Sequence, residues 1–358
     1  MSRVSNVAVH VRVRGFDEPD PQRPLVNYTV DGTNKSITWT TPRTKLGGAD
    51  ETERLFQYDH VFDMGADQST ISDRLVHPMI EHAWEGFNSC LFAYGQTGSG
   101  KTYSIFGEAK GPRRGIAPRV MDEMFSVIEK QGGGGENVGL LVSFLEIYLE
   151  RVRDLGIHYL LNKQGNSSKL EHHDENLKIR QDENGTVYVK NLQRIHVSSV
   201  EEGLDVIRAG LQKRQTYETE HNPVSSRSHT VLTLTLVRAD QETGDMLSGS
   251  INLVDLAGSE RLTADQNTQP DRLRETKAIN SSLSSLGKVV MSLNSGDIRH
   301  IPYRDSKLTR ILQNSLGGNS FCTLLATVNP IAGSYEESLN TLQFANRCKN
   351  VLNTIHIN

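Results

Sequence analysis

Residues 95–102, Gly-Gln-Thr-Gly-Ser-Gly-Lys-Thr, place a lysine and a hydroxyl at the close of a glycine-rich turn. Gly95, Gly100, Lys101 and Thr102 satisfy the phosphate-loop pattern G-x-x-x-x-G-K-[ST]. Glycines at 95, 98 and 100 let backbone N–H groups close around phosphate oxygens at a helix N-terminus. Lys101 would neutralise the β- and γ-phosphates, and the Thr102 hydroxyl would hold Mg²⁺. A second signal is Ile251–Glu260, an apolar run that ends in Asp255 and is followed by Gly258. Behind a phosphate loop, an aspartate at a strand end holds Mg²⁺ through water, and the glycine donates its N–H to the γ-phosphate. A third, Asn222–His229, packs three serines, an arginine and a histidine into eight residues just before a strand.

These groups need rigid elements behind them. Leu91–Tyr94 is short, apolar and turn-bounded, which predicts a buried parallel strand, with a helix opening at Lys101. Residues 7–14 alternate, with Val7, Val9, Val11 and Val13 on one face of a strand. Helices are predicted over 70–86, with Pro78 as a possible kink, and over 116–130, 199–214 and 276–293. Strands are predicted over 36–40, 140–148, 230–237 and 250–255, and Asn184-Gly185 marks a hairpin between 177–180 and 187–192. Residues 156–175 are polar and read as a surface insertion, whose His172-His173 pair lacks a third ligand. Strands alternating with helices predict an α/β fold, a mostly parallel twisted sheet with helices on both faces and the phosphate loop at its carboxyl edge.

The chain has 358 residues, with 36% hydrophobic and 23% charged, no dividing linker and a formal net charge of −4. That balance argues against bulk nucleic-acid binding, and no basic, aromatic-studded groove is visible. No apolar run is long enough for a membrane span, and no signal-peptide block opens the chain. Cys90, Cys322 and Cys348 lie far apart without metal spacing, the pattern of buried thiols in a reducing, intracellular compartment.

Taken together and in this order, residues 95–102, 222–229 and 255–260 resemble the signatures of the kinesin motor family. The resemblance extends through Phe144–Tyr148, His300–Arg310 and Ser315–Asn319, nearly the whole chain. It implies a motor domain over 1–350, a P-loop ATPase stimulated by microtubules, and the start of a neck linker over 351–358. Asn222–His229 would be switch I and Asp255–Glu260 switch II. Ser226 would complete the Mg²⁺ shell opposite Thr102, and Ser225 would position the attacking water. Arg227 and Glu260 would pair to close the switches, and Glu260 would accept a proton through a second water. Asn222 would contact water or phosphate, and Gln96, Thr97 and Ser99 would belong to the phosphate cradle. Arg12, Arg14 and Tyr103 match adenine-flanking positions, although Gly15 stands where the family has proline. No guanine-reading tetrad appears, since Asn34-Lys35 and Asn162-Lys163 lack its aspartate, so ATP is favoured over GTP.

Microtubule contact is implied for Arg272, Arg274 and Lys277 after switch II, and for Arg304, Lys307 and Arg310. Against the family pattern, Ser281 replaces a lysine and Asn294–Arg299 carries no lysine run. Asn358 matches an asparagine that latches the docked linker. The resemblance implies a cytoplasmic, microtubule-associated protein, monomeric over these residues. A microtubule-depolymerising kinesin and a non-motile microtubule-binding protein stand as alternatives.

Overall fold

The computed structural model describes residues 2–16, 24–41, 52–131, 136–164, 176–221, 226–240, 242–260, 270–296 and 300–358, with backbone alone at 136, 164, 216–221, 270–277 and 279. The strands are β1 (Arg3–Asn6), β2 (Ala8–Val13), β3 (Tyr28–Val30), β4 (Ser36–Thr40), β5 (Glu53–Gln57), β6 (His60–Phe62), β7 (Ser89–Tyr94), β8 (Glu136–Tyr148), β9 (Arg151–Asp154), β10 (Ile179–Gln181), β11 (Val187–Val189), β12 (Ile195–Val197), β13 (His229–Asp240), β14 (Met246–Asp255), β15 (Phe321–Val328) and β16 (Leu352–Ile355). The helices are α1 (Gln68–Trp84), α2 (Lys101–Ile105), α3 (Ile116–Gln131), α4 (Ile157–Gln164), α5 (Val200–His221), α6 (Pro270–Asn294), α7 (Lys307–Ile311) and α8 (Tyr335–Cys348).

The central sheet has the order β12-β8-β13-β14-β7-β15-β2-β6, with β9 paired to β8. From β14 through β7, β15 and β2 to β6 every pairing is parallel. On the other side, β12, β8, β13 and β14 pair antiparallel, as does β9 with β8. The α/β class therefore holds, but the expected mostly parallel sheet is mixed. Alternating apolar residues specify which face of a strand is buried, not which way its neighbour runs.

Two cores lie on opposite faces of the sheet. Val7, Val9, Val11 and Val13, each at most 1% exposed, pack on the side covered by α6, α7 and α8. Leu91 and Ala93 face the other side, under α1, α3 and α5. Pro78 sits inside α1 without ending it, and Asp67 caps the helix by accepting from the Thr70 N–H at 2.8 Å. The hairpin at Asn184-Gly185 forms between β10 and β11. Two boundaries differ from expectation: the 156–175 segment opens with α4, and α5 continues to His221. His172 and His173 lie outside the described residues.

At the bottom of the sheet β1 pairs antiparallel with β16. Beyond it Asn358 is tied from several directions. Its N–H and its Nδ2 both donate to the Gly86 carbonyl at 3.0 Å, its Oδ1 accepts from Asn319 Nδ2, and its carbonyl accepts from the Ser248 N–H.

Three buried titratable groups set an acid sensitivity. Burial lowers His10 to about 4 and His229 to about 3, while it raises Asp154 to about 6. A histidine whose folded pKa is depressed contributes stability that is full above its unfolded pKa and is lost as pH falls below it. Asp154 acts oppositely between about pH 4 and 6, because its protonated form is the one the fold prefers. Two histidines outweigh one carboxylate, so unfolding free energy should drop by about 2–3 kcal/mol between pH 6.5 and 5. Urea melts at the two pH values check this, and His10→Gln should flatten the slope.

Candidate active site

The chemistry-bearing residues converge at the carboxyl ends of β7 and β14, which are adjacent and parallel, with Asp255 opposite Ala93. Such a crevice at the carboxyl ends of parallel strands is where an open α/β sheet takes its ligand. A cavity of about 850 Å³ opens there, lined by Arg14, Phe16, Thr97–Tyr103, Arg113 and Ser226 among others.

The loop after β7 is held by its own side chains. Lys101, 6% exposed, reaches back to donate to the Gly95 and Gln96 carbonyls at 2.8 and 2.9 Å. Burial pulls its ammonium below the ordinary lysine value, while Asp255 and Glu260 pull the other way. Ser99 is turned into the fold, with its hydroxyl 2.8 Å from the Gln96 carbonyl and 2.6 Å from Thr327 Oγ1. Its side chain thus braces the loop, and only its backbone is left for a ligand. Gln96 Nε2 donates to Ser334 Oγ at 3.0 Å. A Cβ on Gly95 would lie 2.2 Å from the Thr327 carbonyl, which restricts the position to glycine. Gly100, with φ of 104°, takes the left-handed turn that opens α2, a single turn of helix.

The second motif is bonded directly to the first. Thr102 Oγ1 donates to Asp255 Oδ2 at 2.7 Å, and Asp255 Oδ1 is buried without a partner. The Thr97 N–H donates to Glu260 Oε2 at 2.7 Å, and the Thr97 hydroxyl donates to Oε1. Glu260, the residue expected to pair with Arg227, is thus clasped onto the phosphate loop in this conformation. The Gly258 N–H is also engaged, donating to the Ser226 carbonyl at 2.9 Å. To reach a phosphate it must first leave Ser226. Asn222 and Ser225 lie outside the described residues, whereas Ser226 lines the cavity beside Lys101 and Thr102.

Sequence reasoning missed the charge behind this surface. Arg214 of α5, 2% exposed, donates to Asp255 Oδ2 at 3.1 Å and to the Ser228 carbonyl at 3.3 Å. It also lies 3.9 Å from Glu146, a fully buried carboxylate of β8 that Arg153 approaches to 3.6 Å. A signal was present: Leu204, Ile207 and Leu211 form the inward stripe of α5, and residue 214 continues its three- and four-residue steps. An arginine on an apolar stripe calls for a buried partner.

His229 links the motifs to α6. Its Nδ1 accepts from the Ala257 N–H at 2.9 Å, so its Nε2 carries the hydrogen and donates to Ser282 Oγ, also at 2.9 Å. Burial, with Arg214 and Lys101 nearby, keeps the ring neutral.

At the far wall, Arg12 donates to Gln68 Oε1 and Ser104 Oγ at 2.8 and 2.7 Å, with its guanidinium 5.1 Å from the Tyr103 ring centroid. Arg14 donates to the Gly98 carbonyl and lies over the Phe16 ring. Both arginines are thus committed to the wall, leaving Tyr103 and Phe16 as its ring surfaces. The departure at Gly15 has a steric reason: a Cβ there would sit 2.6 Å from the Met64 carbonyl oxygen.

The basic residues proposed for a filament are elsewhere. Arg272, Arg274 and Lys277 fall in the first two turns of α6. Arg304 is exposed, while Lys307 and Arg310 are half-buried and Arg310 is tied to Gln313 and Gln181.

A Mg²⁺ ion would suit this donor set: the buried Asp255 oxygen without a partner and the Thr102 hydroxyl are adjacent hard oxygen ligands.

A family model described as the kinesin motor domain matches residues 12–351. The chain is 40% identical over 339 residues to a kinesin heavy chain of Neurospora crassa, covering 94% of this chain and 35% of that protein. It is 41% identical over 365 residues to the kinesin heavy chain of Gibberella moniliformis, covering 100% of this chain and 36% of that protein. It thus spans about a third of the length of these relatives. A solved fast kinesin, studied for its ATPase mechanism and interactions with microtubules, superposes with a TM-score of 0.85 at 37% identity, covering 99% of this chain and 94% of that one. A phosphate loop clasped by two switch-like segments and a family match over nearly the whole chain lead to one conclusion, that this chain belongs to the kinesin motor domain family.

Proposed function

We propose that the chain is a microtubule-stimulated ATPase motor domain. ATP hydrolysis at the phosphate loop would switch microtubule binding and the docking of a neck linker that begins after residue 350. The observation that carries this reading is the direct bonding of the loop to the second motif, through Thr102–Asp255 and Thr97–Glu260.

Lys101 and the loop N–H groups hold the phosphates and offset charge that develops on them. Thr102, Ser226 and, through water, Asp255 would hold Mg²⁺, which neutralises phosphate charge when bound. Ser225 positions the attacking water, and Glu260 takes its proton through a second water. For this to happen Glu260 must exchange Thr97 for Arg227, and Gly258 must exchange the Ser226 carbonyl for phosphate. The bonds seen here are therefore the off position of a two-loop gate. His229 transmits that exchange, because the Ala257 N–H it accepts from is one residue before Gly258 and its other nitrogen grips α6. Arg272, Arg274 and Lys277, at the start of α6, with Arg304, Lys307 and Arg310, would meet an acidic filament surface. The ties on Asn358 support reading the 351–358 segment as docked.

Steady-state ATP turnover with and without taxol-stabilised microtubules tests the proposal. Strong stimulation is the expected result. Binding without stimulation would favour a static or depolymerising protein, and neither binding nor stimulation would overturn the partner. With Ser281 in place of a lysine and no lysine run near 294–299, co-sedimentation should weaken only gradually with added salt. Gly15→Pro, which restores the family residue, should not improve ATP binding. Its Cβ displaces the Met64 carbonyl, an overpacking cost of about 1–3 kcal/mol, visible as a lower melting temperature and a weaker Kd for a fluorescent ATP analogue.

A further inference from the structure

The strand beside the phosphate loop carries a residue that none of the sequence motifs includes. β15 runs parallel to β7 with Ala326 level with Tyr94, which brings Thr327 level with Gly95, the first residue of the loop. Thr327 is fully buried at the end of an apolar strand, where a hydroxyl needs a partner. Its Oγ1 lies 2.6 Å from Ser99 Oγ and 3.3 Å from the Tyr94 carbonyl oxygen.

Each hydroxyl has one hydrogen to give. Ser99 gives its own to the Gln96 carbonyl at 2.8 Å, so the 2.6 Å contact takes the hydrogen of Thr327, in preference to the longer reach to Tyr94. A chain of hydroxyls therefore runs from Thr327 through Ser99 to the Gln96 carbonyl. The same carbonyl accepts from Lys101 Nζ at 2.9 Å and from the Ser99 N–H at 3.2 Å, and the Gln96 side chain is fixed in turn by Ser334 Oγ at 3.0 Å. Lys101 gives a second hydrogen to the Gly95 carbonyl, which leaves its ammonium one of three. Meeting both the β- and γ-phosphates therefore draws Lys101 off at least one of these carbonyls. The Gly95 carbonyl retains the Ser259 N–H at 3.1 Å, and the Gln96 carbonyl retains Ser99.

We propose that Thr327 is a positioning residue for the phosphate loop, a role that rests on reading the cavity as a nucleotide site. Thr327 does not line that cavity; it acts through Ser99, whose hydroxyl hydrogen it holds on the Gln96 carbonyl. Lys101 can then pass to phosphate while residues 96–99 keep their shape and their N–H groups stay aimed at the phosphate oxygens. Without the Thr327 hydroxyl the Ser99 rotor is no longer fixed. The loop then keeps Lys101 or changes shape, and either weakens phosphate binding.

Equilibrium binding of Mg²⁺–ATP and of Mg²⁺–tripolyphosphate, which has the phosphates without the base, tests this on the 358-residue chain and its variants. Thr327→Val keeps the branched shape and removes the hydroxyl, while Thr327→Ser keeps the hydroxyl. The expected result is a Kd about three- to tenfold weaker for both ligands in Thr327→Val, restored to within about twofold of the parent in Thr327→Ser. Thr327→Val combined with Ser99→Ala should bind no more weakly than Ser99→Ala alone, because the chain of hydroxyls is already cut at Ser99. A merely structural role would lower the melting temperature without this pattern. Parent affinity in Thr327→Val, additive losses in the double variant, or no recovery in Thr327→Ser would overturn the proposal. So would a loss confined to ATP, which would place the effect at the base end of the cavity. A parent chain that binds neither ligand would overturn the nucleotide reading itself, and the role of Thr327 with it.

Discussion

Replacing Glu260 with alanine is expected to cut steady-state ATP turnover by about 10²-fold or more while ATP still binds within a few-fold of the parent affinity. The magnitude follows from the loss of a positioned proton acceptor, which contributes about 10²–10⁴-fold. On the proposed mechanism binding survives, because Lys101 and the loop amides would hold the phosphates without Glu260. A second variant separates the proposed proton-accepting role of this carboxylate from the clasp it makes. In the structure it clasps the Thr97 N–H and hydroxyl, and a glutamine could keep both contacts, its Oε1 accepting from the N–H while its Nε2 donates to the hydroxyl oxygen. If proton transfer limits turnover, Glu260→Gln should be as slow as Glu260→Ala. If the clasp alone matters, glutamine should restore most of the rate. A turnover in Glu260→Ala close to the parent would remove Glu260 from the mechanism. Single-turnover hydrolysis and analogue binding, measured side by side, separate chemistry from affinity.

The second large effect is on stability, at Arg214. Its guanidinium is the counter-charge for Asp255 and a neighbour of Glu146, both fully buried. Arg214→Met keeps much of the apolar stem but removes the charge and the donors. Truncating one partner of a buried ion pair costs about 3–5 kcal/mol, because the other charge is left without compensation. We expect a fall of that size in the free energy of unfolding, read from the urea midpoint. Adding Glu146→Gln should recover part of the loss, since a neutral amide no longer requires the missing cation, and the double-mutant cycle gives the coupling. A loss under about 1 kcal/mol would mean that solvent or another group compensates these carboxylates. The same variant should weaken Mg²⁺-dependent nucleotide retention, because Arg214 and Thr102 share Asp255 Oδ2.

Much of the site is legible in the order of residues along the chain. A phosphate loop needs glycines, a lysine and a hydroxyl at fixed offsets within one stretch, so local order reveals it. The same holds for Asp255, which marks a strand exit, and for the single-faced alternation from Val7 to Val13. Alternation and helical period are properties of neighbouring residues, and burial of one face follows from them directly.

What the sequence left open is whatever depends on which elements meet. β8, β13 and β14 carry the same alternation whether paired parallel or antiparallel, so the mixed sheet emerges only from their register. The observed partners of Glu260 and Gly258, Thr97 and the Ser226 carbonyl, depend on how the loops pack together, which the motif alone does not specify. Gly15 reads as a weakened adenine contact until the Met64 carbonyl comes to lie against it, 49 residues later in the chain. Arg214 is visible as a charge on an apolar stripe, but its pairing with Asp255, 41 residues away, needs α5 to pack against the sheet. Local chemistry is written along the chain, because spacing alone presents it. Charge compensation, steric exclusion and cavities exist only once distant segments are in contact, and the tertiary structure alone decided those.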